Sequence, residues 1–199
     1  IWSSSDYSNF INNSFINNAD DGIDFGTGAH HNLVDNCYFK DNYDDILFFS
    51  NNNNNTIINS KLISTNGGII FRGGARDNKI INTLINVSDY QIRFSNALID
   101  NYPINNHFIN VTFNQSDIYF DSSCNATTPC NFTVSWYADV QANYSNGTAV
   151  MSETVYGYDK NNVNQNQSNT DSNGFARLTL LSYTQNHTQI YPNNVSYHS

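Results

Sequence analysis

Residues 20 to 26 read DDGIDFG and gather Asp20, Asp21 and Asp24 around one glycine. A second acidic run, YDDILFF at residues 43 to 49, adds Asp44 and Asp45. Carboxylates at this spacing can hold a hard divalent cation through oxygen ligands, work as an acid and base, or form the polar edge of a strand. The other groups able to do chemistry are scattered. His30 and His31 follow Gly26-Thr27-Gly28-Ala29, and Lys61, Arg72 and Arg76 are the cations that remain candidates to remove a proton, Arg93 lying two coils from the acidic group. No Gly-x-Ser-x-Gly, His-Glu-x-x-His or phosphate loop accompanies them.

The elements that must position these residues are legible as a repeat. In rows of 23, NFINNSFINNADDGIDF from Asn9 aligns without a gap on NLVDNCYFKDNYDDILF from Asn32, NTIINSKLISTNGGIIF from Asn55 and NKIINTLINVSDYQIRF from Asn78. A shorter fifth row, NHFINVTFNQSDIYF from Asn106, follows an insertion. Ile23, Ile46, Ile69, Ile92 and Ile118 form one apolar column, and Phe25, Phe48, Phe71, Phe94 and Phe120 another two residues on. That spacing is the alternation of a strand with both columns on one side. Ile11, Val34, Ile57, Ile80 and Phe108 form a third column; Ile16, Phe39, Leu62, Ile85 and Phe113 form a fourth. Asn13, Asn36, Asn59, Asn82 and Asn110 occupy a turn column, where asparagine tolerates unusual backbone angles. Each row can bury its apolar side only against an identical neighbour. The expected fold is all-β: a parallel β-solenoid of about five 23-residue coils over residues 1–121.

This repeat resembles the right-handed parallel β-helix family, the pectate-lyase-like fold, and the resemblance implies that the solenoid is a right-handed parallel β-helix. Some calcium-dependent lyases of that fold carry a similar Asp-Asp-Gly-x-Asp segment as metal ligands, so the resemblance implies Asp20, Asp21, Asp24, Asp44 and Asp45 as a Ca²⁺ site. The register agrees in placing Asp21 and Asp44 in one column, about 4.8 Å apart on stacked strands. Two like charges there repel by under about 1 kcal/mol in water and about 3 kcal/mol at an effective dielectric of 20, which asks for a cation or full solvation. The resemblance also implies polysaccharide cleavage as an alternative activity. Against it, the outward column reads Asp24, Leu47, Ile70, Arg93, Tyr119, with two aliphatic residues where a sugar groove would be polar, and no catalytic residue is assigned.

From residue 122 the period stops. Strand-like alternation at 132–144, 148–158 and 174–183, separated by Ser145-Asn146-Gly147 and Asp171-Ser172-Asn173-Gly174, predicts a small antiparallel β-sandwich over 122–199. Its sequence, NYSNGTAVMSETVYGYD and then NTDSNGFARLTL, resembles Ig-like or carboxypeptidase-regulatory-like modules. A β-helix followed by such a module resembles archaeal cell-surface, adhesin-like proteins in arrangement.

Composition narrows the partners. The chain has 37 Asn, one glutamate (Glu153) and a formal charge of −9, and no basic cluster that could neutralise nucleic-acid phosphates. No apolar run reaches the roughly 18–20 residues that span a bilayer. Asn-x-Ser/Thr sequons at Asn12, Asn54, Asn86, Asn110, Asn114, Asn125, Asn131, Asn143, Asn146, Asn166, Asn186 and Asn194 suggest covalent N-glycans and an extracellular or cell-surface location. Cys124 and Cys130 bracket a five-residue loop and suit a disulfide, leaving Cys37 over; three free thiols are the alternative. The chain opens at Ile1-Trp2, read as the tail of a strand one period before Asp24-Phe25. Trp2 and the outward pair Leu47 and Ile70 are therefore candidate interface residues. They would meet another copy head-to-tail, as in a filament or envelope layer, or neighbouring domains of a longer chain. Carbohydrate is the other partner considered.

Overall fold

The computed structural model of the chain describes residues 1–193 and 195–198. It is a parallel β-solenoid, with a small antiparallel sheet at the end. The contacts divide it into two compact units, Ile1–Phe132 with Gln185–Gln189, and 133–184 with 190 onward. The period and the disulfide loop both belong to the first.

Three parallel sheets wrap the first unit. The first stacks β1 (Trp2–Ser3), β4 (Ile23–Phe25), β7 (Asp44–Phe48), β10 (Gly67–Arg72), β13 (Ile92–Ser95) and β15 (Ile118–Phe120). The second stacks β2 (Asn9–Ile11), β5 (Leu33–Asp35), β8 (Thr56–Ile58), β11 (Lys79–Ile81) and β14 (Asn106–Ile109), and the third β3 (Ser14–Ile16), β6 (Tyr38–Lys40), β9 (Lys61–Ile63) and β12 (Leu84–Ile85). On the first sheet the isoleucine and phenylalanine columns pair in the register of the 23-residue rows, through Ile23, Ile46, Ile69, Ile92 and Ile118. Their phenylalanines form a stack, with ring centroids 5.3 Å apart for Phe25–Phe48, 5.0 Å for Phe48–Phe71, 5.3 Å for Phe71–Phe94 and 4.8 Å for Phe94–Phe120. Phe132, at the start of β16 (Asn131–Gln141), adds a further stacked ring 5.4 Å from Phe94. Burying each such ring contributes about 1.5–3 kcal/mol, and no coil could bury its own alone.

The first row departs from the gap-free alignment. Phe10 pairs with Val34 and Phe15 with Phe39, a step of 24 rather than 23. Phe15, 5% exposed, therefore replaces Ile16 in the core, while Ile11 and Ile16 stay 49% and 46% exposed. A one-residue slip exchanges the two faces of a strand, and it is favoured because Phe15 stacks on Phe39 at 4.8 Å. The turn column shifts with it, to Asn12, Asn36, Asn59, Asn82 and Asn110, all at φ between 48° and 58°. At the top of the first sheet Trp2 pairs with Asp24 and Ser3 with Phe25, so the expected partners Ile1 and Trp2 are each one position early.

A second asparagine column is buried. Asn32, Asn55, Asn78 and Asn106 each expose 1% or less. Each Nδ2 donates to the Oδ1 of the next at 3.0 Å, and the same oxygen accepts that residue's backbone N–H. Polar groups this deep persist because both amide atoms are matched.

The second unit has a small antiparallel sheet with β17 (Thr154–Asp159) between β18 (Asn164–Asn169) and β21 (Val195–His198). β16 lies beside β19 (Phe175–Asn186), which neighbours β20 (Ile190–Pro192). Gly157 on β17 lies against Leu178 and Leu180 of β19. Cys124 and Cys130 form a disulfide, and Cys37 is a free buried thiol whose Sγ donates to the Phe10 carbonyl at 3.3 Å.

Candidate functional site

The outward face of the first sheet carries three side-chain columns set by the register. Asp21, Asp44, Gly67 and Tyr90 form one wall, and Trp2, Asp24, Leu47, Ile70, Arg93 and Tyr119 form the floor. Phe49, Arg72 and Ser95 stand two residues beyond the floor. A cleft of about 420 Å³ is lined by Asp89, Tyr90, Arg93, Ser116, Asp117, Ile118 and Tyr119. Another, of about 180 Å³, is lined by Tyr43, Asp44, Ile70, Arg72, Tyr90, Arg93, Ser95 and Asn96. A third, of about 250 Å³, shares Arg72 and Asn96 and adds Phe49 and Leu98. Shared walls make the three one run across successive coils.

Arg93 lies over Tyr90 and Tyr119, its guanidinium carbon 5.4 and 5.6 Å from the ring centroids. Arg72 lies over Phe49 at 5.2 Å, and with the Asn96 amide turned to present its oxygen, Arg72 Nε and Nη2 donate to it at 3.1 and 2.6 Å. Such contacts are worth about 0.5–1 kcal/mol each near the surface, and they fix where the guanidiniums point. Arg93 Nε is buried without a hydrogen-bond partner.

The aspartates divide. Asp45 turns inward, fully buried, and its Oδ1 accepts from Asn42 Nδ2 at 2.8 Å and from the Ser64 hydroxyl. Burial pushes its carboxyl up to about 6 despite those two bonds. Asp44 accepts the Tyr90 hydroxyl, and burial raises its pKa. Asp21 is pushed up to about 7, by burial first and then by the charges of Asp44, Asp20 and Asp24. Asp24 is pushed up to about 6 by burial and then by Asp20. Asp20 is exposed. With Asp44 and Asp45 engaged by protein donors, the five carboxylates do not converge as one ligand set. Among the described residues no group of three or more His, Cys, Asp or Glu is placed to hold a metal ion.

The three interface candidates differ in exposure. Leu47 and Ile70 do point outward, yet they are only 6% and 5% exposed, while Trp2 is 64% exposed. The flanking columns, with Tyr43, Tyr90, Arg72 and Phe49 on either side, cover most of the aliphatic pair. Trp2 instead lies on Gly26, where a Cβ would overlap the indole, with its ring 6.4 Å from Phe49.

His30 and His31 sit at a turn on the other side of the coil: His30 Nδ1 accepts from Asn53 N at 3.2 Å, and His31 stacks on Tyr7 at 5.0 Å. Of the sequon asparagines, Asn12, Asn54, Asn86, Asn114, Asn125, Asn143 and Asn146 are exposed, and Asn110, Asn131, Asn166 and Asn186 are half-buried. Asn194 lies outside the described residues. None belongs to the three columns of the first sheet.

Residue-by-residue reading missed Tyr90, Phe49, Arg72 and Asn96 as parts of one face. Reading every outward column of the 23-residue register, rather than the central one, would have aligned them.

No protein-family model and no curated protein matches the sequence. Among solved structures, the chain matches a mutant tailspike protein of E. coli bacteriophage HK620 in complex with a hexasaccharide. That likeness has a TM-score of 0.29 and 12% identity over 91% of this chain, which spans 41% of the tailspike chain. The fold stands on strand register alone.

Proposed function

We propose that this chain is an extracellular structural or adhesive glycoprotein whose first sheet presents a carbohydrate-recognition face. The observation that carries the reading is the run of clefts over Arg72, Tyr90, Arg93 and Tyr119, where aromatic rings, arginines, amides and hydroxyls share one open surface. Sugar rings present apolar C–H faces and polar edges, and such mixed linings match both. Most sequons lie off this face, although Asn114 borders the cleft at Ser116 and Asp117, and no helix among the described residues is long and apolar enough to cross a membrane. The second unit's small antiparallel sheet suits a spacer module of the Ig-like kind.

Affinity electrophoresis of the whole chain through gels containing dissolved polysaccharides tests the reading. At least one saccharide should retard the protein, and Tyr119→Ala should reduce that retardation severalfold. Unchanged mobility in every polysaccharide would rule the recognition face out.

A second reading, a carbohydrate-active enzyme, is favoured by one feature: burial pushes Asp21 up to about 7 and Asp24 up to about 6 on the same face as Arg72. Carboxyls poised in that range suit general acid–base work. Steady release of new reducing ends or unsaturated products from a bound polysaccharide, lost in Asp21→Asn, would establish it.

A further inference from the structure

Resting on the recognition face above, we infer that its ligand is an anionic saccharide whose oxyanion, a carboxylate or a sulfate ester, is held between Arg72 and Arg93.

The chain is strongly acidic, with 8 Lys and Arg against 17 Asp and Glu, so carboxylate partners are abundant. Among the described residues the ion pairs are Lys40–Asp41 and Arg177–Asp139. Arg72 and Arg93 take no part in either. The carboxylates lining the same clefts, Asp44, Asp89 and Asp117, stay outside ion-pair distance of both. Asp44 accepts from the Tyr90 hydroxyl at 2.5 Å and feels both guanidiniums only across the cleft.

Neither arginine is a loose surface cation. Arg72 is braced by Phe49 and Asn96, and Arg93 is sandwiched by Tyr90 and Tyr119. Holding a guanidinium in advance removes most of the ordering cost of binding. A guanidinium held in this way can meet a planar oxyanion with two parallel N–H bonds. Ile70 pairs with Arg93, and Arg72 with Ser95. The two arginine Cα atoms are thus one strand and two residues apart, roughly 8 Å, within reach of one oxyanion or of two on adjoining sugars.

The face favours a saccharide over an acidic peptide for a geometric reason. Peptides commonly dock by adding a strand at a sheet edge, but the backbone groups of β7, β10 and β13 are used in the ladder on both sides. What the face offers is rings, with Tyr119 51% exposed, and the exposed side chain of Asn96.

The test is binding of the whole chain, by biolayer interferometry, to oligogalacturonate as the carboxylate probe, dextran sulfate as the sulfate-ester probe, dextran as the neutral counterpart, and polyaspartate. The inference expects binding to at least one of the two anionic saccharides, weakened tenfold or more in R72Q/R93Q and unchanged in R76Q. On the unmodified protein that binding should also weaken steeply as salt rises. Binding that R72Q/R93Q leaves intact, binding insensitive to salt, or equal capture by polyaspartate would overturn it. Retention by dextran alone, unchanged in R72Q/R93Q, would remove the anionic assignment while leaving the recognition face standing. Retention by no saccharide at all would remove both.

Discussion

The hydroxyl of Tyr90 donates to Oδ1 of Asp44 at 2.5 Å across 46 residues of sequence. The contact passes over Gly67, whose coil lies between theirs and where a Cβ would overlap both the carboxylate and the phenol. Glycine at that position is therefore what lets two alternate coils touch. Tyr90→Phe leaves a buried carboxylate short of a donor and should destabilise the fold by about 1–3 kcal/mol. Gly67→Ala should cost at least as much, because it separates the pair. Urea denaturation of the two variants checks both values.

Phe71 has stacked neighbours above and below, at 5.0 and 5.3 Å, and is fully buried. Phe71→Ala opens a cavity in the middle of the column and should cost about 3–5 kcal/mol. Phe120→Ala, at the less buried lower end, should cost clearly less. Equal losses would mean that the stack does not act as a continuous core.

Asn55 both donates to Asn78 Oδ1 and accepts from Asn32. Asn55→Leu keeps the branched skeleton but leaves Asn32 N, Asn32 Nδ2 and the Ala29 carbonyl without their partner, at about 1–3 kcal/mol for each buried group left unmatched. Asn59→Ser, in the exposed turn column at φ 53°, should cost only a fraction of that. Thermal melts of the two variants separate ladder from turn.

Stability should fall as pH rises from about 4 to about 7. Asp21, Asp24 and Asp45 titrate near 7, 6 and 6 in the fold against an ordinary 3.8, so the folded chain binds more protons than the unfolded one across that window. Their stabilising contribution is complete below the unfolded value and is lost as pH passes the folded values. The melting temperature should be higher at pH 4.5 than at pH 7.5, and Asp21→Asn should flatten the slope. A melting temperature that climbs over the same range, with no effect of Asp21→Asn, would contradict the burial described for these carboxyls.

Cys124 and Cys130 close a loop of sequence separation 6. On the chain-entropy model a loop that short contributes about 2 kcal/mol. Cys124→Ser with Cys130→Ser should lower stability by that amount and leave the clefts of the first sheet intact. Denaturation of the double variant, alongside saccharide binding, checks both halves of the statement.

The solenoid was legible because its determinants are local and repeated: one Ile and one Phe per coil, two residues apart, with a glycine or asparagine turn between strands. The first row was misread by one residue because Phe10-Ile11 and Phe15-Ile16 are both apolar pairs. Hydrophobicity alone does not choose between the members of such a pair, whereas ring stacking on Phe39 does. The side chains of the outward face were harder still. Leu47 and Ile70 point outward by alternation, but whether an outward residue meets water depends on the height of its flanking neighbours, Tyr90 and Arg72 among them, and strand period carries no such information. The aspartates show the same limit. Asp44 and Asp45 are adjacent in sequence, yet one faces the Tyr90 phenol and the other is buried against Ser64.

The central claim is that ligand is recognised on the outward face of the first sheet, and hydrogen–deuterium exchange of the whole chain with and without a retained saccharide tests it most directly. Slowed exchange should be confined to residues 43–49, 67–74, 89–96 and 115–121, with 56–63 and 79–85 on the other two sheets unchanged. Slowed exchange on those other sheets, or in the second unit alone, would contradict the account.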